Sequence, residues 1–454
     1  MSGVEDFGEE KRLVEVQGLL EEQVEADIKD HVEHPDRRDG MKRDRAADEA
    51  SMAGGPQRSA FLHPDAQRPL PQTLGPAPVS KLFQSWFVGG FECSTHRGRD
   101  GRRLDLLAST RHDANAANDY RMMAEHGLTT ARDGLRWHAI ETSPGRYDWS
   151  SVLPMLHAAR DTDTQVIWDV LHYGWPDDLD IWSPELITRF GAFAGAAARV
   201  IRNESDAVPF YTPVNEISFW SWAGGDVAYM DPMASDRGPE LKEILVRAAI
   251  AAVEAILAVD PRARFVYAEP AITVHPKSDS LADRRAARDY TSYQYEAWDW
   301  IAGRERPWLG GRPEYLDIVG INYYAHNQWI DGGTWIEVDH PRYTPFHKLL
   351  GDIHARYGRP MFISETGIEA DQRAVWLRFL AGEVAKARQL GVPVEGICLY
   401  PVTDYPGWLD DRQCPTGLLG YVDEVGARPV YEPLAQEMAL QQRMVLEAAQ
   451  LRRG

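Results

Sequence analysis

Eight short apolar segments, separated by longer segments of helical period, are the feature that most restricts the fold of this 454-residue chain. Successive segments start roughly 35 to 55 residues apart, which leaves room for a loop, a helix and a return. Residues 238–260 and 371–391 are two of the intervening segments with apolar residues at three-to-four spacing. The eight segments are SWFVGGFECS from Ser85, TTARDGLRW from Thr129, QVIWDVLH from Gln165, FYTPVNE from Phe210, RFVYAEP from Arg264, DIVGINYY from Asp317, PMFISETG from Pro360 and VEGICLYP from Val394. Eight such units predict an α/β fold, a closed (β/α)8 TIM barrel.

The same alternation of strands and helices also fits a doubly wound open sheet. That fold more often carries a glycine-rich phosphate loop after a strand, and neither GxGxxG nor GxxxxGK occurs in the sequence. The barrel is therefore the preferred prediction, and we expect no cofactor.

The N-terminal part of the chain differs in composition from the rest. Residues 1–60 are dense in charged residues with few aromatic ones, which predicts disorder, and residues 63–81 are rich in proline, which is typical of an extended linker. The predicted organisation is a disordered acidic tail and Pro-rich linker over residues 1–80, followed by a barrel catalytic domain with a C-terminal helix over residues 81–454. Deletion of residues 1 to about 75 should then leave folding and activity nearly unchanged.

The charge of the chain restricts its partners. A formal net charge of −20 disfavours nucleic acid and anionic membrane surfaces. The first thirty residues contain no secretory signal, and no apolar stretch is long enough to span a bilayer. The three cysteines, Cys93, Cys398 and Cys414, are too few and too scattered for a disulfide framework or a spaced metal site. We therefore expect a soluble cytoplasmic protein that binds no metal, no membrane and no nucleic acid.

Polar residues lie where the predicted strands end, at the face on which barrel enzymes build their active sites. Two of them are glutamates on the fourth and seventh strands, which lie across the barrel from each other. Their carboxyl groups can approach the separation of about 5 Å that double-displacement glycosidases use. The strand-end residues are Arg132 and Arg136 on the second strand, His172 on the third, Asn215 and Glu216 on the fourth, Asn322 and Tyr324 on the sixth, and Glu365 on the seventh.

Glycosidic cleavage requires one protonated and one ionised carboxyl group. A guanidinium from Arg132 and a hydroxyl from Tyr324 beside Glu365 would favour its charged form. No cation is evident near Glu216, and we expect a higher pKa there. The sequence therefore predicts Glu216 as the acid/base and Glu365 as the nucleophile.

Three motifs resemble those of clan A glycoside hydrolases, most of all the family 1 β-glucosidases. They are TPVNEI around Glu216, ISETGI around Glu365 and DIVGINYY before His326, and the resemblance extends from Ser85 to about Asp423. It implies the same two catalytic roles for the glutamates, and it implies that Asn215 holds the sugar 2-hydroxyl.

The resemblance also implies roles for supporting residues. Arg132 with Trp137 is similar to the family's arginine and tryptophan five apart on strand two, with Arg136 as the alternative arginine. His172 stands four residues before a proline, as the family's sugar-binding histidine does. Asn322 and Tyr324 match the pair that supports the nucleophile.

The chain departs from the family at positions that read the sugar. Ile217 and Thr366 replace the proline of FNEP and the asparagine of TENG. Glu92 and His96 stand where a glutamine would bind the sugar 3- and 4-hydroxyls. Laying YPVTDYPGW over the family's WSLLDNFEW places Tyr400 at the first tryptophan, Gly407 at the glutamate that reads the 4- and 6-hydroxyls, and Trp408 after it. We expect Glu92, Tyr400 and Trp408 to contact the substrate, and plain glucosides to be poor substrates.

These inferences predict a retaining glycoside hydrolase that cleaves a β-linked glycoside, from a small carbohydrate or a glycoconjugate, through a covalent glycosyl-enzyme. Two alternatives stay open. One is a sugar-binding or scaffold barrel without efficient catalysis, because a fold can be kept while the site loses its activity. The other is a transglycosidase that uses the same site.

Overall fold

The computed structural model describes residue 80 and residues 82–450, with side chains described up to residue 447. Residues 1–79, the greater part of the predicted tail and linker, lie outside this range. The prediction made for them is therefore not addressed by the structure.

Eight parallel strands close into a barrel, and each predicted apolar segment contributes one of them. Each strand pairs with the next one along the chain, and the last pairs with the first, with Phe87 opposite Ile397. The strands are β1 Phe87–Gly90, β2 Thr130–Gly134, β3 Gln165–Asp169, β4 Phe210–Thr212, β5 Arg264–Pro270, β6 Ile318–Asn322, β7 Met361–Thr366 and β8 Val394–Leu399. The predicted (β/α)8 architecture is confirmed.

The strands are short and buried on both faces, as parallel strands covered by helices usually are. All residues of β6, β7 and β8 are buried. One buried cluster takes an apolar side chain from each of seven strands, and it is made of Val88, Ile167, Phe210, Val266, Ile318, Phe362 and Cys398, with Phe83 and Tyr400. These side chains fill the barrel interior beneath the polar strand ends.

Helices follow the strands where the helical period predicted them. Residues 238–260 contain the helix Gly238–Leu257, residues 371–391 contain Arg373–Gln389, and the predicted C-terminal helix is Glu432–Gln450. The remaining α-helices are Leu106–Ser109, His112–Glu125, Trp137–Ile140, Leu153–Asp161, Glu185–Glu204, Ile217–Trp220, Leu281–Ser292, Glu296–Ile301 and Phe346–Tyr357, and Ser221–Asp226 is a π-helix. Among the described helices, none combines the length and the hydropathy that a bilayer span requires.

Two compact units are distinguishable in the described part of the chain. The smaller consists of Val274–Tyr290 and Gln328–Ile336. The larger consists of the other described residues and contains the whole barrel. Every residue discussed below belongs to the larger unit.

Candidate active site

A fully buried guanidinium lies at the centre of the polar layer above the barrel core. Arg132, on β2, donates from Nε and Nη2 to the two carboxylate oxygens of Asp169, at 3.0 and 2.7 Å. It also donates to Glu365 Oε1 at 2.7 Å and to Asn215 Oδ1 at 2.6 Å. Since a buried charge is tolerated only when it is paired, this arginine fixes side chains from three other strands or strand ends around itself.

Glu365, near the end of β7, is held in an environment that stabilises negative charge. Its Oε1 accepts from Arg132, and its Oε2 accepts from the Tyr324 hydroxyl at 2.9 Å. These are the two contacts that the sequence predicted for it. Glu365 is only 5% exposed, so its carboxylate is largely removed from bulk water.

Glu216, in the turn after β4, lies in a different environment. Its oxygens accept from Asn322 Nδ2 at 2.7 Å and from the Tyr173 hydroxyl at 2.9 Å, and no cation among the described residues hydrogen-bonds to it. Burial, and next the charge of Glu365, raise the pKa of Glu216 to about 8. The higher pKa expected from the sequence agrees with this direction, because desolvation and a like charge both disfavour ionisation.

The position of Asn322 differs from the sequence-based expectation. Asn322 was paired with Tyr324 as a support for Glu365, yet its amide donates to Glu216 and its Oδ1 accepts from Ser364 Oγ at 2.6 Å. Asn322 is the last residue of β6, and Tyr324 lies beyond the strand end, so regular alternation does not extend from one to the other. The two residues therefore support different glutamates.

Asn215 and His172 belong to a chain of hydrogen bonds that runs from Asp169 to Tyr173. Asn215 Nδ2 donates to the Tyr173 hydroxyl and lies 3.0 Å from His172 Nε2. His172 Nε2 then accepts, and the ring proton sits on Nδ1, 3.0 Å from Asp169 Oδ2. This chain of hydrogen bonds fixes the orientation of the Tyr173 hydroxyl that donates to Glu216.

Glu92 and two aromatic residues form another wall of the site. Glu92 Oε1 accepts from the Ser94 amide at 3.0 Å and from the Ser94 hydroxyl, and burial raises the pKa of Glu92. The His96 ring packs against Trp408 with centroids 4.6 Å apart. Within the described residues, His96 Nδ1 and Trp408 Nε1 have no hydrogen-bond partner. Because buried polar atoms are usually hydrogen-bonded, these two ring nitrogens are candidates to bind the hydroxyl groups of a ligand.

Tyr400 lies between the arginine and the histidine of the site. Its ring is 5.3 Å from the Arg132 guanidinium carbon and stacks on the His172 ring at 6.2 Å. Gly407, seven residues further along the chain, has no side chain, and a Cβ built there would be 2.8 Å from Asp410 Oδ1. The structure thus brings Tyr400 to the site and leaves the Gly407 position without a sugar-reading group.

Arg136, the alternative arginine, and Trp137 do not contact either glutamate in the hydrogen bonds of the described residues. Arg136 follows the end of β2 and pairs with Asp105 and Asp113, whereas Arg132 lies within the strand and contacts Glu365. Trp137 is fully buried and donates to Glu141 Oε2 at 2.6 Å, which is a packing role.

Three residues of this region were not identified from the sequence. Asp169, Tyr173 and Glu269 lie at the ends of β3 and β5 or just after them. The strand-end criterion could have found Glu269, which is the second-last residue of the predicted segment from Arg264. Asp169 lies in the middle of the predicted segment from Gln165, and only the structure shows that the strand ends there. Tyr173 has φ of 68°, which sequence patterns do not indicate.

One group of potential metal ligands is present in the described residues. Ligand atoms of Cys93, Asp169 and His172 lie within 4.8 Å of one another. However, both Asp169 oxygens accept from Arg132, and the Asn215 amide places the ring proton of His172 on the nitrogen that faces this group. These side chains do not fit a cation, because the guanidinium already supplies the positive charge.

Solved structures of similar fold include a β-glucosidase from Thermotoga maritima in complex with glucoimidazole, with a TM-score of 0.66 and 16% identity over 81% of this chain and 98% of that chain. The family 1 β-glucosidase of the same organism with isofagomine lactam matches with a TM-score of 0.66 and 17% identity, over 83% and 100% of the two chains. The AHE enzyme from Alicyclobacillus herbarius matches with a TM-score of 0.66 and 17% identity, over 80% of this chain and 98% of that chain. The fold is therefore that of the family 1 β-glucosidases.

No protein-family model matches the sequence, and no curated protein matches it with significance.

Proposed function

We propose that the protein is a retaining glycoside hydrolase that cleaves a β-linked glycoside through a covalent intermediate. The observation that carries the proposal is the contrast between two buried carboxyl groups at the ends of β4 and β7. Glu365 accepts from a guanidinium and a phenol, whereas Glu216 has a pKa of about 8 and hydrogen bonds only to an amide and a phenol. Opposite environments of this kind separate a nucleophile from a proton donor.

In the first step, protonated Glu216 gives its proton to the glycosidic oxygen, and a Glu365 oxygen attacks the anomeric carbon. The bond to the leaving group breaks as the ester to Glu365 forms. In the second step, Glu216 takes a proton from water, the water oxygen attacks the anomeric carbon, and the ester bond breaks. Glu216 is protonated again and Glu365 is ionised, so both groups return to their starting states.

The substrate in this proposal is a small carbohydrate or glycoconjugate whose sugar differs from plain glucose. Glu92, His96 and Trp408 offer an acceptor carboxyl, a ring nitrogen and an indole N–H to its hydroxyls, and Gly407 offers nothing. Polar groups that are left unpaired reject the wrong hydroxyl pattern strongly.

Glu365→Gln and Glu216→Gln test the catalytic roles, with the exposed Glu424→Gln as a matched control. Glu365→Gln should lower kcat by several orders of magnitude on every cleaved aryl glycoside, and Glu424→Gln should leave it unchanged. A 2-fluoro aryl glycoside should add one glycosyl mass to a peptide that contains Glu365. Near wild-type turnover by Glu365→Gln would refute the assignment, and binding without cleavage of any glycoside would favour the scaffold alternative.

A further inference from the structure

Glu269 is a buried carboxyl group near the end of β5 that no motif assigned to the site. It is 2% exposed, and its Oε2 accepts from the backbone amide of Ser218 at 2.9 Å. Ser218 is two residues beyond Glu216, at the start of the helix Ile217–Trp220. The buried Glu269 carboxylate therefore binds the backbone amide of Ser218, two residues after the proposed proton donor.

The backbone of Glu216 needs such an anchor. Glu216 has φ of 44° and ψ of 60°, a left-handed conformation that is unfavourable for a residue with a side chain. Its amide donates to the carbonyl of Ala268 at 3.0 Å, immediately before Glu269. Strand β5 therefore holds the turn at two points, through the Ala268 carbonyl on Glu216 and the Glu269 carboxylate on Ser218.

Glu269 also contributes charge to the surroundings of Glu216. Among the described residues, the charged or titratable groups that act on Glu216 include Glu365, Glu269, Tyr173 and Tyr324. Lys242 attracts Glu269 from the helix Gly238–Leu257, but its ammonium is bound to Glu296 Oε2 at 2.7 Å. Burial raises the pKa of Glu269 to about 7. An ionised Glu269 carboxylate opposes the ionisation of Glu216, because like charges repel each other.

We propose that Glu269 is a positioning residue for Glu216: its carboxylate anchors the left-handed turn that presents Glu216, and its negative charge keeps Glu216 protonated for proton donation. This inference rests on the proposed role of Glu216. It has two parts, the anchor and the charge, and different variants separate them.

Glu269→Gln removes the charge and keeps an oxygen that can accept from Ser218. The pH profile of kcat/KM on a cleaved aryl glycoside should then lose its basic limb at a lower pH, by roughly half to one pH unit, because a like charge near Glu216 is gone. The acid limb should stay in place. Glu383→Gln is the matched control, since Glu383 is a buried glutamate on the helix Arg373–Gln389 whose partners are Lys386 of the same helix and His347. It should change stability without moving either limb.

Glu269→Asp keeps the charge and shortens the reach to Ser218, so it should leave the basic limb in place and lower kcat with little change in KM. This variant carries the test if Glu269→Gln does not fold. A basic limb that stays put in folded Glu269→Gln, or a wild-type kcat in Glu269→Asp, would overturn the inference. If the basic limb also persists in Glu216→Gln, the proposed role of Glu216 fails instead.

Discussion

Asn322 donates its side-chain amide to Glu216 at 2.7 Å, although the family resemblance implies support of the other glutamate. The orientation of the amide is fixed because Asn322 Oδ1 accepts from Ser364 Oγ, next to Glu365 in the chain. Each proposed catalytic carboxyl group therefore has its own donor from the β6 segment, Asn322 for Glu216 and Tyr324 for Glu365. This division leads to the first prediction.

Asn322→Ala should raise the pKa of Glu216 further, because a hydrogen bond to the charged form is lost. The basic limb of the kcat/KM profile should move to higher pH, opposite to the movement expected for Glu269→Gln, and kcat should fall about tenfold as orientation is lost. A downward movement of the limb would contradict the assigned direction.

If the proposed roles hold, the wild-type protein should lose kcat/KM above about pH 8, where Glu216 gives up the proton that the leaving group needs. Steady-state rates should be measured from about pH 5, where Glu216 is protonated, to about pH 10, where it is ionised. The decrease of kcat/KM between these limits is the basic limb. The limb should disappear in Glu216→Gln, and the loss of rate should be smaller for aryl glycosides with good leaving groups, which need less protonation.

Tyr324→Phe removes one of the two donors to Glu365 without touching Arg132. Hydrogen bonds to charged groups contribute about 1.5–3 kcal/mol, so kcat/KM should fall about 10- to 100-fold. Tyr323→Phe is the matched control, because Tyr323 is the neighbouring residue and its hydroxyl faces Tyr343 instead of Glu365. Equal losses in the two variants would argue against a specific role for Tyr324.

A panel of aryl β-glycosides of glucose, galactose, fucose, mannose and xylose should place the glucoside below the best substrate. The reason is the replacement of the glucose-reading positions by Glu92, His96 and Gly407. Glu92→Gln should change the order of preference more than it changes kcat on the best substrate. A clear preference of the wild type for the glucoside would show that the prediction is wrong.

A fully buried network outside the site predicts how stability depends on pH. His112 lies 2.8 Å from both Asp119 and Asp133, and although burial opposes its ionisation, the two carboxylates raise the pKa of His112 to about 9. A raised pKa contributes stability below the unfolded value near 6.5 and loses it as pH rises through 9. The difference in unfolding free energy between wild type and His112→Gln should shrink by roughly 3 kcal/mol between pH 6 and pH 10. A difference that stays constant over this range would contradict the charged network.

The sequence alone determined the barrel, because eight apolar strand segments at regular spacing leave few other ways to bury their faces. It also placed Glu216, Glu365, Arg132 and His172 near one another, since the carboxyl ends of barrel strands converge on one face. The contacts of Arg132 and Tyr324 with Glu365 followed from the same argument, because the strand order fixes which neighbours a strand-end side chain can meet.

Only the tertiary structure decided the partners that depend on the exact path of the chain beyond the strands. The left-handed turn at Glu216 and the departure of Arg136 occur beyond the strand ends, where a period of two no longer predicts direction. Asn322 and Tyr324 support different glutamates because the strand ends between them. The anchoring contact of Glu269 joins residues 51 positions apart through one amide. A contact of that kind depends on the three-dimensional fit of a strand end against the start of a helix, which local sequence patterns do not encode.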